Sequence, residues 1–303
     1  MKGKSGHWEL LGAVVGAGMA SGREIASFFA RYGRWSWSCI TLTVGVILLT
    51  ADAGMPAKWE KRWPGRLWRG MTTLLLIATG GGMLAGAGEI AVMVLPGKHA
   101  CWSGMMAAML LAWILVKRTA SGLAWVSRGL LAVLAVLIVL GLLLPPLEDA
   151  KTEALLPAGL LGALAYGGFS AALMSPVLAM AEESPGHRRR SLALAGGMLA
   201  LLLMLGNAVL QRHPALLEEP LPFVRMSAGY GMAGYALAII SLALAILSTL
   251  TASVKVLRGR PLALLGMAAA AMCGFSGVVG VLYPVLGGGC LVLMAAAKFT
   301  NSR

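Results

Sequence analysis

Three ionisable side chains stand among apolar neighbours: Arg23 and Glu24 within VVGAGMASGREIASFFARYG (14–33), and Glu89 directly after GGGMLAGAG (80–88). A charge inside a membrane segment is costly, so each is a candidate for function. Helical rise places Glu24, counted from Lys4, and Glu89, counted from Arg69, at a shared outer depth of about 30 Å. Two roles follow from that shared depth. The three can form an outer-gate ion pair or network, or one carboxylate can carry a proton. The plainer alternative is that all three reach interfacial water.

The same first segment carries Gly16-Ala17-Gly18, a step that breaks an apolar helix. A membrane helix gives up its own hydrogen bonds only where protein or a water-filled cavity takes them over. A helix restarting near Gly18 or Met19 would aim free N–H groups and its positive end at that cavity, which suits an anionic group such as a carboxylate. Gly167-Gly168 repeats the signal later in the chain. Counted from Lys4 and Glu182, the two steps lie about 18 Å and about 21 Å from the inner side, near the midplane of a 30 Å core. The competing explanation is that these glycines only let helices pack closely.

A third pattern is LALAILSTLTASVK, in which Ala245, Ser248 and Thr249 fall at i, i+3 and i+4 on one helix face. Two hydroxyls, joined by carbonyls freed at the first break, make an oxygen-only site for a hard cation. Alternatively, the hydroxyls bond back to their own helix.

The elements that must position these residues are membrane helices. The 303-residue chain is 58% hydrophobic and 12% charged, whereas a soluble domain carries roughly 25% charge. Its apolar runs are long and continuous, which excludes a β-barrel with its short alternating strands. Ten spans are expected, at 8–32, 36–55, 70–94, 100–116, 122–144, 157–182, 191–210, 229–255, 261–282 and 284–300. LPPLEDAKTEALL (144–156) divides them into two sets of five, residues 1–150 and 151–303. An odd number per half inverts the second half, which is the topology of an inverted repeat.

The net charge of +13 does not imply nucleic acid. Lys and Arg cluster in alternate loops (Lys58, Lys61, Arg62, Arg66 and Arg69; Lys117 and Arg118; Arg188, Arg189 and Arg190; Lys255, Arg258 and Arg260), while the acidic Glu148, Asp149, Glu153, Glu218 and Glu219 lie in the others. That asymmetry places both termini in the cytoplasm of a multi-pass cell-membrane protein. Trp59, Trp63 and Trp68, among basic residues, read as an interfacial belt. Asp52 reads as an interface residue near the inner loop, and the 214–228 segment as a short helix lying over the outer face. Gly82 and Gly86, a G-x-x-x-G pair, predict tight packing of span three on spans one and eight.

The four cysteines and four histidines show no disulfide or metal spacing. No H-E-x-x-H, G-x-S-x-G or embedded carboxylate pair is present, so no enzyme is expected. The first apolar run is too long, and lacks a cleavage site, to read as a cleavable signal peptide.

VVGAGMASGREI with the following FFARYG resembles the opening of the YkvI-type membrane proteins, a branch of the amino acid–polyamine–organocation superfamily. That resemblance implies the 5+5 inverted repeat of LeuT, with helices one and six discontinuous. It implies substrate binding by Val15, Gly16, Ala17, Gly18 and Met19 and by Tyr166, Gly167, Gly168, Phe169 and Ser170, with Tyr166 and Phe169 closing over the solute. It also implies Na⁺ binding by Gly12, Val15, Ala245, Ser248 and Thr249. The chain departs from that family in its short spans, in lacking an eleventh and twelfth, and in Arg23.

The expected function is secondary transport of a small amino-acid-like solute, zwitterionic or anionic, with Na⁺ or H⁺ as coupling ion and no other cofactor. Spans one, two, six and seven would rock against three, four, eight and nine. The alternative is a membrane ligand sensor on the same fold without net flux. The expected partners are the solute and the bilayer, with no nucleic acid; monomer and dimer stay open.

Overall fold

Continuous apolar sequence with few internal breakers forms long helices, because in lipid every backbone group must be paired within its own segment. The structure, a computed structural model, describes residues 6–51, 63–118, 120–145, 156–180 and 185–301. Among them it is entirely helical, without a strand. The protein is a polytopic helical membrane protein: six stretches of described helix are long and apolar enough to cross a bilayer, 65–94, 126–143, 156–178, 186–212, 222–256 and 275–296. Two shorter apolar helices, 100–116 and 261–271, accompany them.

In chain order the helices are α1 (Gly6–Val14), α2 (Ala17–Ala20), α3 (Arg23–Phe28), α4 (Ser36–Thr50), α5 (Trp63–Val94), α6 (Ala100–Arg118), α7 (Ala120–Leu143), α8 (Leu156–Met180), α9 (Pro185–Arg212), α10 (Pro222–Ser227), α11 (Gly231–Val256), α12 (Pro261–Ala271), α13 (Phe275–Gly277) and α14 (Tyr283–Asn301). A 3₁₀ turn at Ala30–Trp35 joins α3 to α4, and a π-helical stretch at Val278–Leu282 leads into α14. α4 lies along α8 and α9; α5 lies along α6, α11 and α12; α14 runs against α8. α1 sits between them, touching α7, α8, α9 and α11.

The expected spans nine and ten are divided differently from the sequence reading. α12 ends at Ala271, and the last long apolar stretch begins at Phe275 rather than 284. Gly274, at φ +74°, takes the left-handed conformation that ends one helix and starts the next. The glycines of α5 also divide their contacts. Of the G-x-x-x-G pair, Gly86 faces Ala17 of span one and Ile246 of span eight, as expected, but Gly82 faces Val278 and Tyr283 instead, and Gly80 and Gly81 face Met267 and Ala270 of α12.

Several expectations lie outside the described residues: the dividing segment at 146–155 with the 150/151 boundary, Asp52, Trp59, Glu182, and the acidic Glu148, Asp149 and Glu153.

Candidate functional site

The first span is broken twice. α1 ends at Val14, Gly16 is extended (φ −94°, ψ −171°), and the chain restarts as the four-residue α2. Gly22 then turns at φ +83°, a conformation that favours glycine, before α3. Two of the groups freed at the first break have new partners. The Ala17 N–H donates to the Met83 sulfur of α5 at 3.3 Å. The Gly12 carbonyl accepts from the Ser248 and Thr249 hydroxyls of α11 at 3.3 and 3.5 Å. At the second break the Phe223 N–H of α10 donates to the Ser21 carbonyl at 2.8 Å, and the Phe223 ring covers Gly22. The outer segment expected to lie flat over the protein therefore also plugs the broken helix.

Glu24 is the centre of this region. It is 1% exposed, and its side chain folds back so far that a Cβ on Gly18 would collide with its carboxylate. The Tyr166 hydroxyl of α8 donates to Glu24 Oε2 at 2.7 Å. Rings surround the pair: Phe28 at 5.0 Å and Phe29 at 5.4 Å from the Tyr166 ring, with Phe169 at 5.9 Å. Phe169 in turn stacks on Tyr283 of α14 at 4.2 Å. A buried carboxylate folded against a broken helix, with aromatic rings around its partner, is an arrangement that can accept a cation.

The expected outer network of Arg23, Glu24 and Glu89 is not formed. Arg23 and Glu24 are consecutive on a short helix and therefore point apart. Arg23 turns to the outer loop, where Nη1 donates to the Leu217 and Glu219 carbonyls at 3.2 and 3.1 Å. Glu24 turns inward to Tyr166. Glu89 is half-buried on α5, and no ion pair joins it to either of the others among the described residues.

The expected break in span six is also corrected, because α8 is one unbroken helix from Leu156 to Met180. Its two glycines serve packing. A Cβ on Gly167 would press on Val46 at 2.9 Å, and one on Gly168 would collide with the Gly287 carbonyl oxygen of α14. Of the residues expected to bind substrate, Val15, Gly16, Ala17, Gly18 and Met19 gather at the first break, and Tyr166 and Phe169 face it through Glu24 and the rings. Gly167 and Gly168 face α4 and α14 instead, and the Ser170 hydroxyl is buried without a hydrogen-bond partner.

Three of the expected ion residues meet: the Ser248 and Thr249 hydroxyls reach the Gly12 carbonyl. Val15 and Ala245 are fully buried. Sequence reasoning missed Ser127 of α7, whose hydroxyl lies 3.1 Å from that of Ser248. It also missed Met83, Phe223 and Tyr283, which carried no polar or spacing signal. Among the described residues, no three His, Cys, Asp or Glu gather in a metal-binding group.

No family model and no curated protein matches the chain. Solved structures of a manganese transporter from Eremococcus coleocola share its fold. One mutant form has a TM-score of 0.58 at 14% identity, covering 96% of this chain and 76% of that one. The form in complex with an aromatic bis-isothiourea substituted compound has a TM-score of 0.57, with the same identity and coverage. A second mutant form has a TM-score of 0.55 at 14% identity. These structures belong to a different membrane transporter family, so the assignment to the YkvI-type proteins and their superfamily is withdrawn. That assignment rested on one glycine-broken segment. Any discontinuous span needs such a segment, whatever its family.

Proposed function

We propose that this protein is a secondary transporter that moves a small cationic or ammonium-bearing solute across a cell membrane by alternating access. The observation that carries this reading is the buried Glu24 carboxylate, set against the first break at Gly18 and held from α8 by Tyr166. Among the described residues no Lys or Arg pairs with it. A buried carboxylate without a protein cation is a costly arrangement unless a bound cation completes it. The same charge changes the expected orientation of an amino-acid-like solute. A carboxylate already occupies the place where the solute's own was expected, so a zwitterion is met at its ammonium end, and a purely anionic solute is repelled. The aromatic wall around Tyr166 suits an ammonium group.

A divalent metal ion is the second reading. It is favoured by the Met83 sulfur at the break, a thioether that a metal ion can take as ligand, and by the fold shared with manganese transporters. The lack of a multi-carboxylate or histidine cluster among the described residues keeps it second.

The coupling ion we propose is Na⁺ at the Gly12 carbonyl with the Ser248 and Thr249 hydroxyls, to which Ser127 adds a fourth oxygen; a proton on Glu24 is the alternative. We propose ten crossings in two inverted sets of five, with both termini cytoplasmic. The packing of α4 chiefly on α8 and α9, and of α5 chiefly on α6, α11 and α12, supports the division into a rocking and a static group.

Uptake into proteoliposomes tests these readings together. Labelled amino acids and amines form one arm and Mn²⁺ the other, each with and without a Na⁺ gradient. Saturable uptake that is lost in Glu24→Gln supports the reading. Loss of Na⁺ dependence in Ser248→Ala with Thr249→Ala supports the ion site. Ligand-dependent thermal stabilisation with no flux in either arm would make the protein a sensor, and uptake of anions alone would remove the cation site.

A further inference from the structure

A cavity of about 690 Å³ opens on the outer flank of the protein, between α3, α8 and α14. Phe28 lines it, whereas Glu24 and Tyr166 do not, and it plays no part in the function proposed above. Two features make it more than a surface hollow.

The first is its charge. Arg23 and Arg31 both line it and no acidic residue does. Arg23 is fixed at the rim by its two bonds to loop carbonyls. Arg31 Nε is buried and has no hydrogen-bond partner. Two guanidinium groups facing one cavity repel each other, and an unmet buried N–H is costly. A bound oxyanion removes both penalties, and a phosphate matches the guanidinium geometry better than any other common group.

The second is its floor. Gly280 and Gly288 line the cavity, and a Cβ at either would meet nothing within 4 Å; at Gly162 the nearest atom would be 3.8 Å away. These glycines differ from Gly168 and Gly287, where a Cβ would collide with the neighbouring backbone. A glycine within a helix costs up to about 1 kcal/mol relative to alanine. Here the cost is not offset by close packing within the protein. What the missing side chains do is leave a smooth channel. Its bilayer-side rim is apolar: Leu161, Val285 and Val292 are 68%, 67% and 68% exposed. A soluble anion would use only the charged end of this cavity, whereas a phospholipid uses both ends.

We infer that the cavity binds one anionic phospholipid, with its phosphate on Arg23 and Arg31 and an acyl chain laid over Gly162, Gly280 and Gly288. Native mass spectrometry of the purified full chain, mixed with phosphatidylglycerol or phosphatidylcholine, reads the site directly. Phosphatidylglycerol should be retained about tenfold more than phosphatidylcholine, the scale expected when one or two guanidinium groups select an anionic lipid. Arg31→Gln should bring its retention down to the phosphatidylcholine level. A Cβ at Gly280 or Gly288 meets nothing within 4 Å, so Gly288→Leu and Gly280→Leu extend a side chain into the channel, and each should lower retention of phosphatidylglycerol while leaving the melting temperature without lipid unchanged. Either variant that keeps its melting temperature suffices for the test. Equal retention of the two lipids, or retention unaffected by Arg31→Gln and by the glycine variant, would overturn the inference. So would an equal rise in melting temperature from inorganic phosphate alone, which would mark a soluble-anion site.

Discussion

Gly16-Ala17-Gly18 and Gly167-Gly168 look alike in sequence, yet only the first interrupts its helix. The difference lies in what stands opposite. At the first, side chains from other helices offer hydrogen bonds: the Met83 sulfur takes the Ala17 N–H, and the Ser248 and Thr249 hydroxyls serve the Gly12 carbonyl. At the second, the opposing surface is Val46 and the bare backbone of Gly287. Backbone groups in an apolar interior stay with their own helix unless something replaces their partners. Glycine permits a break; a polar partner makes one.

That comparison is broken most forcefully at Gly168. If its role is close contact, Gly168→Leu drives a side chain into the Gly287 carbonyl and should destabilise the protein by about 3 kcal/mol or more, at or beyond the upper end for overpacked cores. Gly16→Ala meets the flexible end of Met83 at 3.1 Å and Thr249 Oγ1 at 3.3 Å, and should cost clearly less. Thermal melting in one detergent compares them. A Gly168→Leu protein as stable as the wild type would return span six to the role of a flexible binding element.

The next effect in size concerns the link between the two regions. Tyr166→Phe keeps the ring packing against Phe28, Phe29 and Phe169 but removes the donor to Glu24. A hydrogen bond to a charged group is worth about 1.5–3 kcal/mol. Melting should fall accordingly, and solute affinity should change because the carboxylate is no longer fixed. Unchanged melting and uptake would mean that Glu24 is held by its burial alone.

The sequence made the class of fold and the place of the first break legible, since both follow from apolar continuity and glycine spacing. It also placed Ser248 and Thr249 on the face that meets Gly12, because i, i+3 and i+4 residues share one side of a helix. Glu24 was found but misplaced. Counting rise along a straight helix from Lys4 sets it at the outer boundary, whereas the turns at Gly16 and Gly22 shorten the path and fold the carboxylate back onto Gly18. Span six failed for the converse reason, since what faces a glycine across a helix interface has no local signature. Met83, Phe223 and Ser127 stayed hidden because each acts on residues distant in the chain and is unremarkable among its own neighbours.

Met83 gives the finest test of the comparison. Met83→Leu keeps nearly the same volume, so packing is largely conserved, but the acceptor for the Ala17 N–H is gone. A buried N–H left unmet costs about 1–3 kcal/mol, and a sulfur acceptor is weak, so the loss should be near the lower end. Two responses are open to the chain. It can keep the break and lose about 1 kcal/mol, or it can close the helix by returning the Ala17 N–H to the Ala13 carbonyl four residues back. Hydrogen exchange at Ala17 distinguishes them, because a closed helix protects this amide and an open break exposes it. Faster exchange with slightly lower melting would show that a polar partner holds the break. Slower exchange with impaired uptake would show it still more directly, since removing one sulfur would have made span one resemble span six. Exchange and melting both unchanged would mean that Gly16 alone breaks the helix, and the contrast with Gly167-Gly168 would need another cause.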